Sequence, residues 1–393
     1  MLRISHRAAW DLTPNTLTDA VSQRQSNHLD LLDLIQSNPT TIGIDTIDQH
    51  TLLTLANKAS QRYEPTPKGL LSAREAVASW YCRRGIDVQP GQLLLTASSS
   101  ESYGFLLKLL CDPGDSVLVP APSYPLFDQL ARLECVSMTR YPLIEDDGWR
   151  IDEVSLRQAI QPNTKAIFLV SPNNPTGSFL HEQERRRVED AARDHDLALI
   201  CDEVFAEYVW NEAPDRVRCA AIDAMVPTFS LGGLSKSACL PQMKLGWIVV
   251  GGTSNNASDD TLQRLEMIAD TYLSVSASVQ HAAKALLDGA AHARDMLAQR
   301  IRTNLSALRC MTQGTLVSVS QVDAGWYACL RVPSVINDDQ WAAMLVREDG
   351  LLVHPGSFFG VSRTGMLVIG LIAPHHMFVE GVRRLLKRVE RTV

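Results

Sequence analysis

Short apolar runs alternate with helix-length segments from about Gln92 to Val250. The runs are Leu93–Thr96, Ser116–Pro120, Ala166–Val170, Leu197–Cys201, Thr228–Leu231 and Trp247–Val250. They are rich in β-branched and other apolar residues and short, so they predict buried strands rather than helices. Between them, 100–111, 124–134, 153–161 and 182–195 have the length expected of helices. Strand alternating with helix predicts an α/β fold, with a mostly parallel central sheet covered on both faces. Such sheets seat ligands beyond the carboxyl ends of their strands. Catalytic residues are therefore expected directly after the apolar runs.

Beyond this region the pattern changes. A long helical stretch is expected over 258–289, then a helix at 291–310. Strands near 315–320 and 325–332, a helix at 338–348, a strand at 366–372 and a helix at 376–391 follow. In the last helix Val379, Val382, Leu385, Leu386 and Val389 fall on one face. This organisation reads as a large domain over 46–289 and a smaller α+β domain over 290–393. Residues 1–45 read as an arm that also contributes to the small domain.

Composition narrows the classes. With 393 residues, 45% hydrophobic and 21% charged, the chain is neither disordered nor a disulfide miniprotein. At roughly 150 residues per domain, two or three domains are expected. The 37 basic and 44 acidic residues give a net charge of −7, with no overall bias toward nucleic acid or anionic membrane. The eight cysteines form no C-x-x-C pair, which favours buried reduced thiols over a metal site or a disulfide framework. No apolar h-region opens the sequence, and no apolar stretch approaches the roughly 18 residues of a membrane span. A cytoplasmic location is expected.

Four strand ends carry the candidate chemistry. Leu197–Glu203 ends in the carboxylate of Asp202, and Ala166–Gly177 ends in a polar turn containing Asn174. Thr228–Lys236 ends in a lysine after Gly232-Gly233, and Gln92–Glu101 runs into a Ser-rich turn that opens a helix. A helix N-terminus with serine hydroxyls and free N–H groups suits a phosphate. A lysine beside it suits a Schiff base with an aldehyde, and a carboxylate suits a pyridinium nitrogen.

The chain resembles the class I/II aminotransferases, pyridoxal-phosphate-dependent enzymes of fold type I. The resemblance is carried by Tyr63-Glu-Pro-Thr-Pro-Lys-Gly69, Thr96-Ala-Ser-Ser-Ser-Glu101, Pro113-Gly114-Asp115 and Pro122-Ser-Tyr124-Pro125. Ser171-Pro-Asn-Asn-Pro-Thr-Gly177, Asp202-Glu203-Val204, Gly232-Gly-Leu-Ser-Lys236 and Pro355-Gly356 extend it over most of the chain. It implies that Lys236 forms the Schiff base and moves the substrate's α-proton, and that Asp202 keeps the pyridine nitrogen protonated. It implies Asn174 on the ring's phenolate oxygen, Tyr124 on the ring face, Ser99 and Ser100 on the phosphate, and Lys244 as a phosphate cation. Tyr63 would reach the site of a second copy, so a homodimer with shared sites is expected. The implied activity moves an amino group between an amino acid or amine and a 2-oxo acid, with pyridoxal 5'-phosphate as cofactor and no metal.

Three positions depart from the family pattern. Lys244 stands where an arginine is usual; it keeps the charge without the bidentate fork. Phe205 stands where a tyrosine is frequent, which removes a donor to the phenolate and implies a higher pKa for the lysine–cofactor linkage. The C-terminal strand Thr364–Pro374 has no arginine to grip a substrate carboxylate; that position falls at Val368 or Ile369. Asn38 and Arg363 are the candidate substrate residues, and a carboxylate-free amine is the alternative. Two other readings are β-elimination or decarboxylation on the same cofactor, and a non-catalytic ligand sensor.

Overall fold

The computed structural model describes residues 3–146, 148–252 and 255–393. After a short strand β1 (Leu32–Asp33), eight strands build one sheet. They are β2 (Leu93–Thr96), β3 (Ser116–Ala121), β4 (Ser137–Glu145), β5 (Trp149–Ile151), β6 (Thr164–Val170), β7 (Ala198–Asp202), β8 (Thr228–Gly233) and β9 (Gly246–Gly251). Their order is β2-β9-β8-β7-β6-β3-β4-β5. The inner pairs β3–β4, β3–β6, β6–β7 and β7–β8 are parallel, while β9 runs antiparallel to β2 and β8, and β5 antiparallel to β4. Every residue of β2, β7, β8 and β9 is buried, as expected of strands covered on both faces. The carboxyl ends of β2, β3, β6, β7 and β8 emerge at one edge of the sheet.

Gly232 and Gly233 bring β8 and β9 into close contact. A Cβ on Gly232 would lie 2.3 Å from Trp247 Nε1, and one on Gly233 would lie 3.2 Å from the Leu245 carbonyl. The glycine pair thus lets the Trp247 ring cover β8 just before the lysine.

The remaining strands are β10 (Ser318–Val319), β11 (Tyr327–Arg331), β12 (Leu351–Leu352), β13 (His354–Pro355) and β14 (Met366–Gly370). β10, β11, β14 and β13 form a four-stranded antiparallel sheet in that order. Helices Ala291–Thr312 and His375–Thr392 lie against each other. In the latter Phe378, Val382, Leu385 and Val389 are buried. β1 pairs in parallel with β12, and the Gly370 N–H donates to the Leu34 carbonyl at 2.6 Å. The N-terminal segment is thereby stitched to the C-terminal elements.

The expected elements differ from the observed ones in several places. The helix expected over 258–289 is two helices, Asn255–Asp270 and Ala277–Gly289. Thr271, Ser274 and Ser276 lie at the break, where hydroxyl side chains compete for backbone hydrogen bonds. Ser274 Oγ instead donates to Glu101 Oε2 at 2.6 Å. β4 and β5 carry no apolar run in the sequence, because β4 lies toward the sheet's edge and all but one of its residues are exposed or half-exposed. Helices Thr16–Ser26 and Leu71–Cys82 also lie outside the expected elements. The helix expected at 338–348 changes to a π-helical turn at Leu345–Asp349. All eight cysteines are unpaired; Cys201, Cys219, Cys239 and Cys329 are buried, whereas Cys82, Cys135 and Cys310 are exposed. Among the described residues no helix is long and apolar enough to cross a membrane.

Candidate active site

The carboxyl edge of the large sheet collects the expected residues. Helix Ser99–Leu110 begins directly after β2. Ser98 caps it, accepting the Glu101 N–H at 3.2 Å, and Glu101 Oε2 accepts the Ala97 N–H at 2.6 Å. Both donors preceding the helix and in its first turn are thus fixed, while the N–H groups of Ser99 and Ser100 have no intrahelical acceptor. Gly246, at the start of β9, abuts this turn: a Cβ there would lie 2.9 Å from the Ser98 carbonyl carbon and 3.1 Å from Ser99 N. Lys244 is exposed two residues earlier, in the left-handed conformation at φ 52°.

Lys236 lies in the single helical turn Leu234–Ser237 after β8. Desolvation pulls its ammonium down to about 8, although Asp202 and Cys239 favour the charged form. Its Nζ lies 4.7 Å from the centroid of Trp326 and 5.7 Å from that of Phe205. Tyr208 donates its hydroxyl to the Lys236 carbonyl at 2.9 Å, fixing the backbone that carries the amine.

Asp202 ends β7 and is buried. Burial raises its carboxyl above the usual range, and hydrogen bonds from Tyr103 and the Val204 N–H, with the charge of Lys236, oppose that rise. Tyr103 Oη lies 2.5 Å from Oδ2, and Val204 N lies 3.0 Å from Oδ1. Asn174, in the loop after β6, is buried, and its Oδ1 has no hydrogen-bond partner among the described residues. Tyr124, after β3, is half-buried and packs edge-on to Phe127 at 5.6 Å.

These residues fit a pyridoxal phosphate. A desolvated amine, a buried carboxylate within reach of its charge, the buried Asn174 amide, whose NH2 can donate to an oxyanion, and an open helix N-terminus converge at one edge. The donor set matches the aldehyde, ring nitrogen, ring oxygen and phosphate of that molecule.

Tyr63, Asn38 and Arg363 stand apart. Tyr63 is 79% exposed. Asn38 is committed to a local turn, its Oδ1 accepting from Thr40 N at 3.0 Å and Thr40 Oγ1 at 2.7 Å. Arg363 is ion-paired with Glu145, which Arg331 also engages. Its guanidinium is therefore held on a carboxylate already present in the protein. Val368 and Ile369, the two positions at which the substrate arginine is expected, are both fully buried in β14, and Val368 lies between two neighbouring strands. Cys329 and His354 flank it directly across the strands.

Two contributors had no place among the expected site residues. Tyr103 is one; its only sequence signal is an aromatic four positions after Ser99, on the same helix face. Trp326 is the other. It covers the Lys236 amine, and only the fold brings it there from a segment 90 residues downstream.

A parallel sheet whose strand ends assemble a lysine, a carboxylate and a phosphate-ready helix defines a pyridoxal-phosphate-type transferase architecture. The model for aminotransferase class I and II matches residues 27–385. Glutamate-pyruvate aminotransferase AlaA of Escherichia coli K12 is 30% identical over 261 residues, spanning 66% of this chain and 64% of the relative. Tyrosine aminotransferase of Dictyostelium discoideum is 23% identical over 379 residues, 91% of this chain and 89% of the relative. Among solved structures, alanine aminotransferase from Pyrococcus furiosus superimposes with a TM-score of 0.87 at 22% identity, covering 99% of this chain and 100% of that one. The chain belongs to the class I and II aminotransferase family, whose members depend on pyridoxal phosphate.

Proposed function

We propose that the chain is an aminotransferase that moves an amino group between an amino acid or amine and a 2-oxo acid, with Lys236 as the residue that binds the cofactor and moves the proton. The observation that carries this reading is the desolvated Lys236 amine at the same sheet edge as the buried Asp202 carboxylate. When bound, pyridoxal phosphate supplies an aldehyde carbon for the amino group and a ring that draws electrons from the substrate's C–H bond.

The chain's own residues do the rest. The first turn of helix Ser99–Leu110, with Ser99, Ser100 and Lys244, binds the phosphate through N–H groups, hydroxyls and charge. Asp202 holds a proton on the ring nitrogen, and Asn174 orients the ring oxygen. Tyr124 and the aromatic wall of Trp326 and Phe205 exclude water from the Lys236 amine. With its pKa near 8, Lys236 Nζ has a far larger neutral fraction at neutral pH than an ordinary lysine, so it can take a proton from the substrate carbon and return it. Tyr63 of a second copy completes the phosphate site in a homodimer, which gives a reason for a tyrosine standing 79% exposed.

A second reading concerns the donor. Val368 is neutral and buried, and Arg363 is engaged by Glu145. A buried carboxylate without a cation costs several kcal/mol. These facts favour an amine donor whose reacting carbon bears no carboxylate.

The test is direct. Purified chain saturated with pyridoxal phosphate is expected to turn yellow, and the borohydride-reduced adduct is expected on the Lys236 peptide by mass spectrometry. A colourless protein, or an adduct on Lys244, overturns the assignment. Conversion to the pyridoxamine form by a donor alone marks transfer; release of pyruvate and ammonia from a β-substituted amino acid marks elimination instead.

A further inference from the structure

This inference rests on the cofactor reading above and concerns a residue that reading does not use. Positions 99, 100 and 103 are three and four residues apart, so they share one face of helix Ser99–Leu110. The first two form the open N-terminus. The third, Tyr103, is 1% exposed and crosses to β7, where its hydroxyl meets Asp202 Oδ2 at 2.5 Å. The ring is wedged between Phe127, edge-on at 5.2 Å, and Phe168, stacked at 5.5 Å. It has no room to turn away.

We propose that Tyr103 is a positioning residue for the cofactor's ring nitrogen: by donating its hydroxyl to Oδ2 it keeps the Asp202 carboxylate ionised and in one orientation. A single helix then grips the phosphate at its first turn and braces the ring's counter-ion one turn later.

The electrostatics agree with the geometry. The groups facing Asp202 are Tyr103 from the helix, Tyr124 from the loop after β3, Lys236 after β8, and Cys201 on β7 itself. Burial drives the Asp202 carboxyl toward its neutral form, and a neutral carboxyl cannot hold a protonated ring nitrogen. Among the described residues, Tyr103, the Val204 N–H and Lys236 act against that drive. Burial and the Asp202 charge push the Tyr103 hydroxyl well above its ordinary value, so it stays a donor over the whole working range. Lys236 changes its bonding during turnover, whereas Tyr103 does not. The tyrosine is therefore the constant part of the clamp.

The experiment measures binding of pyridoxal phosphate and, separately, of inorganic phosphate to the apo form of the full chain, from about pH 5 to about pH 9, by tryptophan fluorescence and visible absorbance. Tyr103→Phe is expected to weaken pyridoxal phosphate about ten- to a hundredfold, the range of a hydrogen bond to a charged group. It is expected to move the acid limb of the affinity profile to higher pH and to leave inorganic phosphate binding unchanged. A ring-fluorinated tyrosine at position 103, a stronger donor of nearly the same shape, is expected to move the acid limb the other way. Should the Phe variant not fold, the fluorinated one decides. An acid limb that neither variant moves overturns the proposal. So does a parallel loss of inorganic phosphate, which marks a loosened helix rather than a released carboxylate. A wild-type chain that binds no pyridoxal phosphate overturns the underlying cofactor reading instead.

Discussion

Val368 of β14 lies directly opposite His354 of β13, so their side chains share one face of the small sheet. Cys329 flanks Val368 from the other side, and its thiol reaches toward the Pro175 carbonyl, beside Asn174, at 3.8 Å. This face therefore meets the cofactor loop with neutral groups. His354 is stacked on Phe358 at 4.6 Å, and burial depresses its pKa to about 4. A depressed histidine contributes stability that is complete above its unfolded pKa, near 6.5, and is lost as pH falls toward about 4. The contribution is at most about 3 kcal/mol. Thermal denaturation at a series of pH values is expected to show a smaller loss between pH 6.5 and 4 for His354→Gln than for the wild type. Equal losses would show that His354 does not drive the acid sensitivity.

The same neutral face bears on the donor. A panel of amines and α-amino acids, each mixed with the holoenzyme, reads the first half-reaction as loss of the lysine-bound cofactor's absorbance. Apolar amines without a carboxylate are expected to react faster than alanine or glutamate, by about tenfold or more, since one unpaired buried carboxylate outweighs several kcal/mol of packing. Fast reaction with ordinary α-amino acids would require a cation from the second copy and would sink the amine reading.

Phe205 makes a separate prediction about the same linkage. It lies against Trp326 at 5.4 Å and beneath the Lys236 amine, with no hydroxyl to offer. Phe205→Tyr adds a donor where the phenolate is expected, so the pH midpoint of the holoenzyme's visible band should fall by about one unit. An unchanged or higher midpoint would place the ring oxygen elsewhere.

How far the sequence could be read follows from burial. The strands leading to Asp202 and Lys236 are short, fully buried runs because helices cover both their faces, and a chemically distinct residue ends or closely follows each one. That contrast is visible without a structure. β4 was not visible because a strand near the sheet's edge alternates irregularly between half-exposed and exposed residues. The pairing of Arg363 with Glu145 joins residues 218 positions apart, and that of Tyr103 with Asp202 joins residues 99 apart. Neither carries a local pattern, since only the tertiary fold brings these residues together. In the sequence Arg363 therefore reads as a cation free for substrate, whereas in the fold it is ion-paired with Glu145.

Glu203 sits beside Asp202 but points to the opposite face of β7. Its Oε1 accepts the Ala220 N–H at 2.6 Å and the Ser230 hydroxyl at 2.8 Å, the Cys219 and Cys201 thiols lie against the carboxylate, and Oε2 has no conventional hydrogen-bond partner among the described residues. Burial raises its carboxyl to about 7. A raised carboxyl contributes stability below its unfolded pKa, near 4.5, that is lost as pH climbs through about 7. Glu203→Gln removes the ionisation and is expected to raise the melting temperature at pH 8 relative to wild type, with no gain at pH 4.5. The gain corresponds to at most about 3 kcal/mol. A difference independent of pH would mean that packing, not charge, separates the two proteins.

Gly246 tests the phosphate end of the site independently of the ring. Its missing side chain lets β9 run against the capping turn, with Ser99 N at 3.1 Å and Thr96 Oγ1 at 2.9 Å from where a Cβ would lie. Thr96 cannot give way cheaply, because its hydroxyl is shared with Ser102 Oγ at 2.9 Å and the Ser98 carbonyl at 3.1 Å. Gly246→Ala must therefore push the first helical turn outward, at a cost of about 1–3 kcal/mol for an overpacked contact. The displaced turn is the one whose N–H groups face the anion. Inorganic phosphate and pyridoxal phosphate should weaken together in this variant, in contrast to Tyr103→Phe, which should spare phosphate alone. Unchanged phosphate affinity in Gly246→Ala, measured by calorimetry at fixed ionic strength, would show that the anion is not held at this helix N-terminus.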